Sequence, residues 1–392
     1  MPKNFNFYVT FAIIKVNIKK YYFRLFNNKI IKMIPWAKPK INKKDQQHLN
    51  HAFKSNWISG GKYIYKLENL LKKKLKAKNM LVVSSGTAAI HLVYLAIGLK
   101  RGDEIIIPGY GYLAAANIAK QLNLKIIFAD VDPNTFCVTE SEIKKKTTDR
   151  TKAILITHTY GNMCEVDKIY SFAKKKSILL IEDAAEALFS KFKKKFAGTV
   201  GDFGIYSFQA VKTITTGEGG AVAFRERKNL NKLKLFRSHG VQNKRYFHLV
   251  PGHNFRLSNL LASIGYSQLI RIKKITDNRK KVFSFYEKHL NKKKFEMQSI
   301  TKNSFFVPWA ISIKINNTFN QKKRDKIILN LKKKGIETRN GFYTPYELPI
   351  YPKKKLPISL MLSRRIISLP LFEDLSESKV KYICSVLNKT SR

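Results

Sequence analysis

From about residue 79 the chain repeats one pattern: a short run of β-branched and other apolar residues, a turn of small or polar residues, then a longer stretch. Residues 80–83, 104–108, 125–130 and 153–157 are runs of this kind, and 178–181, 204–208 and 221–224 continue the series. Residues 87–99, between the first two runs, place apolar side chains on a 3.6-residue period, as in a helix that buries one face. Strands alternating with helices predict an α/β fold with a mostly parallel sheet, here of seven strands, covered on both faces. Ligands bind such sheets at the carboxyl ends of the strands, so the polar residues stationed there are the ones to read for chemistry.

The texture changes beyond residue 275. A lysine-rich helix, a strand-like segment at 306–315, a helix near 322–334 and a proline-punctuated tail predict a smaller C-terminal α+β domain over 276–392. The large α/β domain then spans 33–275. Residues 1–32 stand apart, because an apolar run at 5–14 is cut short by Lys15, Lys19 and Lys20 and no small-residue cleavage site follows. They read as an upstream extension, with Met33 an alternative start, against a degenerate signal or a membrane-surface helix.

With 392 residues, 44% hydrophobic and 12% aromatic, the chain can bury a sizeable core and is neither disordered nor fibrous. Cys137, Cys164 and Cys384 form no CxxC pair, and no Cys/His cluster has zinc spacing. That disfavours a disulfide scaffold and a metal site, and a reducing compartment, the cytoplasm, is expected. No uncharged apolar run reaches the roughly 18 residues of a membrane span. The charge is unusual: 75 Lys+Arg against 26 Asp+Glu, a net +49. Such a balance suggests nucleic acid or an anionic surface. Lysine far outnumbers arginine, however, and the basic residues form short runs along the whole length, such as 72–74, 193–195 and 332–334. A nucleic-acid domain concentrates arginine and aromatic residues on one element. The lysines read as solvated surface, and neither nucleic acid nor a membrane is expected as partner.

Three strand ends carry candidate chemistry. The first opens a helix through Ser84-Ser85-Gly86-Thr87-Ala88-Ala89, which reads either as an anion cradle or as a plain N-cap by Ser85 or Thr87. The fifth ends in Glu182-Asp183-Ala184-Ala185-Glu186. An aspartate leaving an apolar strand is costly to bury without a cation, which the protonated ring nitrogen of a heteroaromatic cofactor would supply; otherwise it is a solvated turn carboxylate. The sixth leads through Ser207 to Lys212 and a glycine-rich return, Gly217-Glu218-Gly219-Gly220. Few other charges surround this lysine, and a desolvated amine of lowered pKa is what Schiff-base chemistry requires. His91 reads as packing or surface, His158 as cofactor floor or structure, His239 as substrate contact or helix closure, and the cysteines as buried bystanders.

These segments together resemble the DegT/DnrJ/StrS sugar aminotransferases, fold-type-I pyridoxal-phosphate enzymes, over residues 35–387. The motifs are SSGTAAIHL, GDEIIIPGYGYLAAAN, FADVDPNTF, THTYGN, IEDAAEAL, GDFGIYSF, KTITTGEGGAV, RSHG, GHNFRLSN and GIETR. KTITTGEGG, EDAAEAL and GIETR are most similar to the perosamine-synthase branch, which aminates C4 of a nucleotide-linked 4-keto-6-deoxyhexose. The resemblance implies that Lys212 forms the Schiff base with pyridoxal 5′-phosphate and shuttles a proton, while Asp183 pairs with the pyridinium nitrogen. It implies further that Gly86, Thr87 and Ser207 cradle the phosphate, Tyr112 stacks on the ring and Glu186 lies near the phenolic oxygen. Asn254 would reach the phosphate of the neighbouring subunit, giving a homodimer with shared active sites. The implied substrates are a nucleotide sugar and glutamate, serving polysaccharide or glycoconjugate synthesis such as that of O-antigen.

Departures from the family pattern fall in loops: Gly111 before the aromatic, Phe189 after EDAAEAL, Lys194 and Lys195, His253, Asn340-Gly341 and Tyr346. Substrate identity therefore stays open, with 3-keto-sugar and keto-inositol amination as alternatives. A related branch that dehydrates its substrate has histidine in place of the lysine, and Lys212 speaks against it. A non-catalytic basic binding protein on an inactive fold is opposed by the intact Lys212 and Asp183.

Overall fold

In chain order the strands are β1 (Asn79–Val83), β2 (Glu104–Pro108), β3 (Lys125–Ala129), β4 (Thr151–Thr157), β5 (Leu179–Asp183), β6 (Lys191–Phe192), β7 (Lys195–Phe196), β8 (Phe203–Ser207) and β9 (Gly220–Phe224). They continue with β10 (Phe295–Met297), β11 (Ser304–Phe305), β12 (Ile311–Ile315), β13 (Arg339–Asn340) and β14 (Ile366–Leu369). The computed structural model describes residues 33–316 and 320–390, so the extension at 1–32 lies outside the described residues.

The central sheet has seven strands in the order β1-β9-β8-β5-β4-β2-β3. β8, β5, β4, β2 and β3 pair in parallel, and β9 runs antiparallel between β1 and β8. Each of the seven apolar runs becomes one of these strands, with ends moved by a residue or two. β1, β2 and β9 are buried at every position, which is why they read as continuous apolar runs. Successive residues still divide between two cores. Met80, Val82, Ile106, Ile154 and Ile156 pack on one face with the helices Lys62–Leu75, Val166–Lys175 and Asn259–Ile270. Leu81, Val83, Ile105, Ile107 and Leu155 pack on the other with Gly86–Ala96 and Ala114–Gln121.

A second, antiparallel sheet has the order β10-β12-β14-β13 and its own core of Ile311, Ile313, Ile327, Leu331, Ile367 and Val380, among others. The helix Ile272–His289 serves both layers: Ile272 and Ile275 join the first core, Val282 and Tyr286 the second. The expected division after residue 275 thus falls inside a continuous helix. The start of the expected large domain also sits in the second core, because Ile34 is buried there and pairs with Ile336.

The strand-like segment 306–315 is a strand only from Ile311. Pro308 has no N–H to give to a ladder. Its carbonyl and that of Trp309 accept instead from Arg279 Nε (2.9 Å) and Nη2 (2.7 Å). Val307 N–H donates to Ser190 Oγ and Trp309 N–H to Tyr160 O, so the segment crosses to the central sheet. Burial pushes the Arg279 pKa down to about 10, partly offset by Glu373. Arg279→Met keeps the volume and leaves two carbonyls without donors. We expect it to lower unfolding stability by about 2–4 kcal/mol, measured by urea titration; an unchanged midpoint would show that the arginine does not hold this crossing.

Candidate active site

Three strand ends of the central sheet converge at its carboxyl side. β1 turns through Ser84 into the helix Gly86–Ala96, whose N-cap is Ser85: its backbone is extended and its Oγ accepts the Ala88 N–H at 3.0 Å. Ala89 N–H donates to Ser85 O, and among the described residues nothing accepts from the N–H groups of Gly86 and Thr87. Capping and an anion cradle are therefore compatible here. β8 ends alongside at Ser207. A Cβ on Gly86 would lie 3.0 Å from Ser207 Cβ, and one on Gly220 would lie 2.5 Å from the Ser85 carbonyl carbon. Only glycine allows β9 this approach to the helix start.

Lys212 follows on the loop after β8, with its side chain 13% exposed. Its Nζ lies 3.7 Å from Glu186 Oε1 and 4.0 Å from the centroid of the Trp309 ring. Trp309 is fixed from three sides: Nε1–H donates to Val211 O, its backbone N–H donates to Tyr160 O, and its ring stacks on that of Tyr160. Tyr160 N–H in turn donates to Glu186 Oε2 at 2.8 Å, from a left-handed backbone (φ 59°) that costs a tyrosine energy. One strained residue thus orders both neighbours of the lysine. Neither Trp309 nor Tyr160 was visible as a site residue in the sequence, for each lies far along the chain from Lys212. The tertiary crossing held by Arg279 brings Trp309 in.

Asp183 is buried at the end of β5, and its Oδ1 accepts the Ala185 N–H at 3.0 Å. Burial raises its pKa, against the Ala185 hydrogen bond and the charges of Lys212 and His158. The preceding Glu182 is fully buried and accepts from the N–H groups of Gly198 (2.9 Å), Val200 (2.7 Å) and Gly201 (2.6 Å). Its Oε2 also meets His158 Nε2 at 2.9 Å. Cys164 N–H donates to His158 Nδ1, so Nε2 carries the proton toward Glu182. His158 N–H donates to Asp183 O, which makes His158 part of the floor beneath Asp183.

Two expected site residues are not joined to this cluster. Tyr112 is 67% exposed after Gly111, without a ring contact or hydrogen bond to another described side chain. Asn254 is exposed and accepts from Arg256 Nε at 3.1 Å, on a segment bridged to Ser238. His91 packs against His253 and Phe255.

The family model for DegT/DnrJ/EryC1/StrS aminotransferases matches residues 39–388. The chain belongs to this family. It is 36% identical to a GDP-perosamine synthase of Escherichia coli O157:H7 over 363 residues, covering 92% of this chain and 99% of that protein. It is 33% identical to a GDP-perosamine synthase of Vibrio cholerae, covering 91% and 98%. Among solved structures, the aminotransferase PseC of Helicobacter pylori matches with a TM-score of 0.87 and 26% identity, covering 92% and 99%. An Escherichia coli GDP-4-keto-6-deoxy-D-mannose-3-dehydratase with bound hydrated pyridoxal phosphate matches with 0.83 and 24%, covering 90% and 99%, a likeness of fold. As a member of the DegT/DnrJ/EryC1/StrS aminotransferases, the chain has the fold-type-I architecture expected of it.

Within this family fold, Glu186 titrates far from the ordinary carboxyl range. Burial pushes its pKa up to about 7, against the pull of Lys212 and the Tyr160 N–H, and Asp183 adds to the rise. Its Oε1 is buried with no hydrogen-bond partner among the described residues. A carboxyl whose folded pKa lies above its unfolded value binds an extra proton when folded, so its contribution to stability is full in acid and is lost as pH rises through about 7. The loss between pH 5 and 8 amounts to at most about 3 kcal/mol. Glu186→Gln should remove that slope. In ligand-free protein, melting temperatures from pH 5 to 8 should fall for wild type relative to the variant; parallel curves would contradict the assignment.

Proposed function

We propose that this aminotransferase moves an amino group from L-glutamate onto C4 of a nucleotide-linked 4-keto-6-deoxy sugar, with pyridoxal 5′-phosphate as cofactor, in polysaccharide or glycoconjugate synthesis. The observation that carries the reading is the placement of Lys212 Nζ 3.7 Å from the buried Glu186 carboxyl, beside Asp183 and the helix start at Gly86. Similarity to GDP-perosamine synthases over nearly the whole of both chains supports a GDP-linked hexose.

The residues present fit the cofactor. Among the described residues, the buried Glu186 Oε1 has no hydrogen-bond partner and the buried Asp183 carboxylate no ion pair with an arginine, and the Gly86 and Thr87 N–H groups suit a phosphate beside Ser207. Bound there, pyridoxal phosphate supplies the electron-withdrawing ring that acidifies an amino-acid Cα–H. Lys212 would hold it covalently and, when released, carry the proton taken from Cα. Asp183 would keep the ring nitrogen protonated, and its backbone is fixed for this by His158. Glu186 would hold a proton shared with the phenolic oxygen and offset the lysine's charge. Tyr112, exposed and without a ring contact among the described residues, would cover the ring face. We propose a homodimer, supported by the exposed Asn254 and by Phe53, Trp57 and Tyr65, large apolar side chains on the surface. The unpaired cysteines support a reducing compartment, the cytoplasm.

Glutamate-dependent amination of GDP-4-keto-6-deoxymannose by the purified protein is the direct test, and no amino sugar from it or from other 4-keto nucleotide sugars would refute the reading. Lys212→Ala should abolish turnover with the fold intact by circular dichroism. Asp183→Asn should lower kcat by roughly two orders of magnitude or more, on the scale of one preorganised electrostatic contact; an unchanged rate would mean that another acid serves the ring.

Mixing tests the shared site. Lys212→Ala and Asn254→Trp, each inactive alone, should regain up to about half of wild-type activity per mixed dimer, because one site then collects both defects and the other neither. Subunit exchange, shown by tagged-chain pull-down, without recovered activity would exclude a site built from two chains.

A further inference from the structure

At the opposite end of the central sheet, where β1 begins and β9 ends, a cavity of about 240 Å³ is walled by Lys76, Lys78, Lys194, Lys195 and Arg225, with Asp202, Gly198 and Gly201. Among the described residues, none of the four lysines forms an ion pair, although a carboxylate is within reach of many other lysines. Arg225 Nη2 donates to Val200 O, but its Nε is buried without a hydrogen-bond partner. Asp202 is the one acidic group in the wall, and its Oδ2 already accepts the Leu180 N–H at 2.8 Å.

The backbone adds a second, independent observation. β6 and β7 pair as a hairpin with a two-residue turn, Lys193-Lys194, and both residues have positive φ (45° and 69°). That turn favours Asn-Gly, since a side chain in the left-handed region is strained. Lys193 has a partner in Asp167, at 2.5 Å, whereas Lys194 has none among the described residues. Asp202 and Glu226 offset part of the charge of Arg225 and Lys78, but a strained lysine without an ion pair among the described residues, at the mouth of a cavity with five basic groups in its wall, is a place where an anionic ligand would relieve the repulsion.

We propose that this cavity is an anion site for one or two phosphate groups, distinct from the Lys212 centre. Its volume is below the range of about 300–1,000 Å³ that encloses a drug-sized molecule, so the ligand is a free phosphate or diphosphate, or the phosphate end of a nucleotide whose remainder stays outside. Arg225 and the lysines supply the charge-assisted donors that such oxygens take. The site faces Glu182 from behind: Gly198 and Gly201 line the cavity and donate their N–H groups to that carboxylate. An anion bound here braces the segment beneath Asp183.

The test is isothermal titration of cofactor-loaded full-length protein with inorganic pyrophosphate, orthophosphate or GDP, at fixed ionic strength in chloride. The triple variant Lys76→Gln, Lys194→Gln, Lys195→Gln changes exposed side chains only and should weaken pyrophosphate binding at least tenfold, with the KM for the sugar substrate unchanged. A control variant, Lys332→Gln, Lys333→Gln, Lys334→Gln, removes equal charge elsewhere and should bind as wild type does. Variant-sensitive binding of GDP as well as pyrophosphate identifies a nucleotide end as ligand, and of pyrophosphate or orthophosphate alone a free anion; either supports the site. Absence of binding, equal affinity in wild type and triple variant, or equal weakening by the control would overturn it.

Discussion

Burying the Glu182 carboxylate in the central sheet is the constraint from which the site follows. A carboxylate without water is costly unless its oxygens find donors, and three backbone N–H groups from 198–201 and the His158 ring meet it. Those bonds tie the end of β4, the end of β5 and the loop entering β8 into one unit. Strand geometry turns the next residue to the opposite side, so Asp183 points away from this structural pair. Two adjacent acids therefore meet different surroundings: Glu182 is held by four donors, whereas the Asp183 carboxylate accepts the Ala185 N–H.

Around that unit the site is assembled by close approach and by aromatic packing. Gly86 and Gly220 let a helix start, β8 and β9 meet at distances that a side chain forbids. On the other side Tyr110, Tyr160, Phe342 and Trp309 form a wall, with Tyr160 stacked between Trp309 and Phe342. Burial raises the pKa of the Tyr110 hydroxyl, with the Tyr160 hydrogen bond opposing the rise. The wall keeps water from Glu186 and Lys212, and this exclusion is what raises the carboxyl's pKa.

The large net charge takes a different place in this picture from the one composition suggests. Most basic side chains are exposed and dispersed, and several close i,i+3 or i,i+4 ion pairs on helix surfaces, worth little in stability. Lys212 is distinguished from the other lysines by burial and neighbours, in a chain where lysine itself is commonplace.

Local sequence was enough for the seven strands, the helix after β1, the family and the candidates Lys212, Asp183 and Glu186, because apolar periodicity and contiguous motifs are properties of short windows. It also offered Ser85 as one of two capping candidates, and the structure chose it. Where the chain leaves a strand for a long-range partner, the reading stopped short. Residues 306–310 looked extended and apolar, yet a proline and a distant arginine make them a crossing that delivers Trp309 to Lys212. The helix Ile272–His289 looked like the start of a new domain, yet its two ends pack into different cores. Glu182 passed as an ordinary neighbour of Asp183, because its four donors come from His158 and from residues 198–201. Which elements form is decided by side chains within a few residues of each other, and sequence displays these. Which carboxyl is satisfied and which is left with few donors depends on groups from elsewhere in the chain, and only folding brings them together.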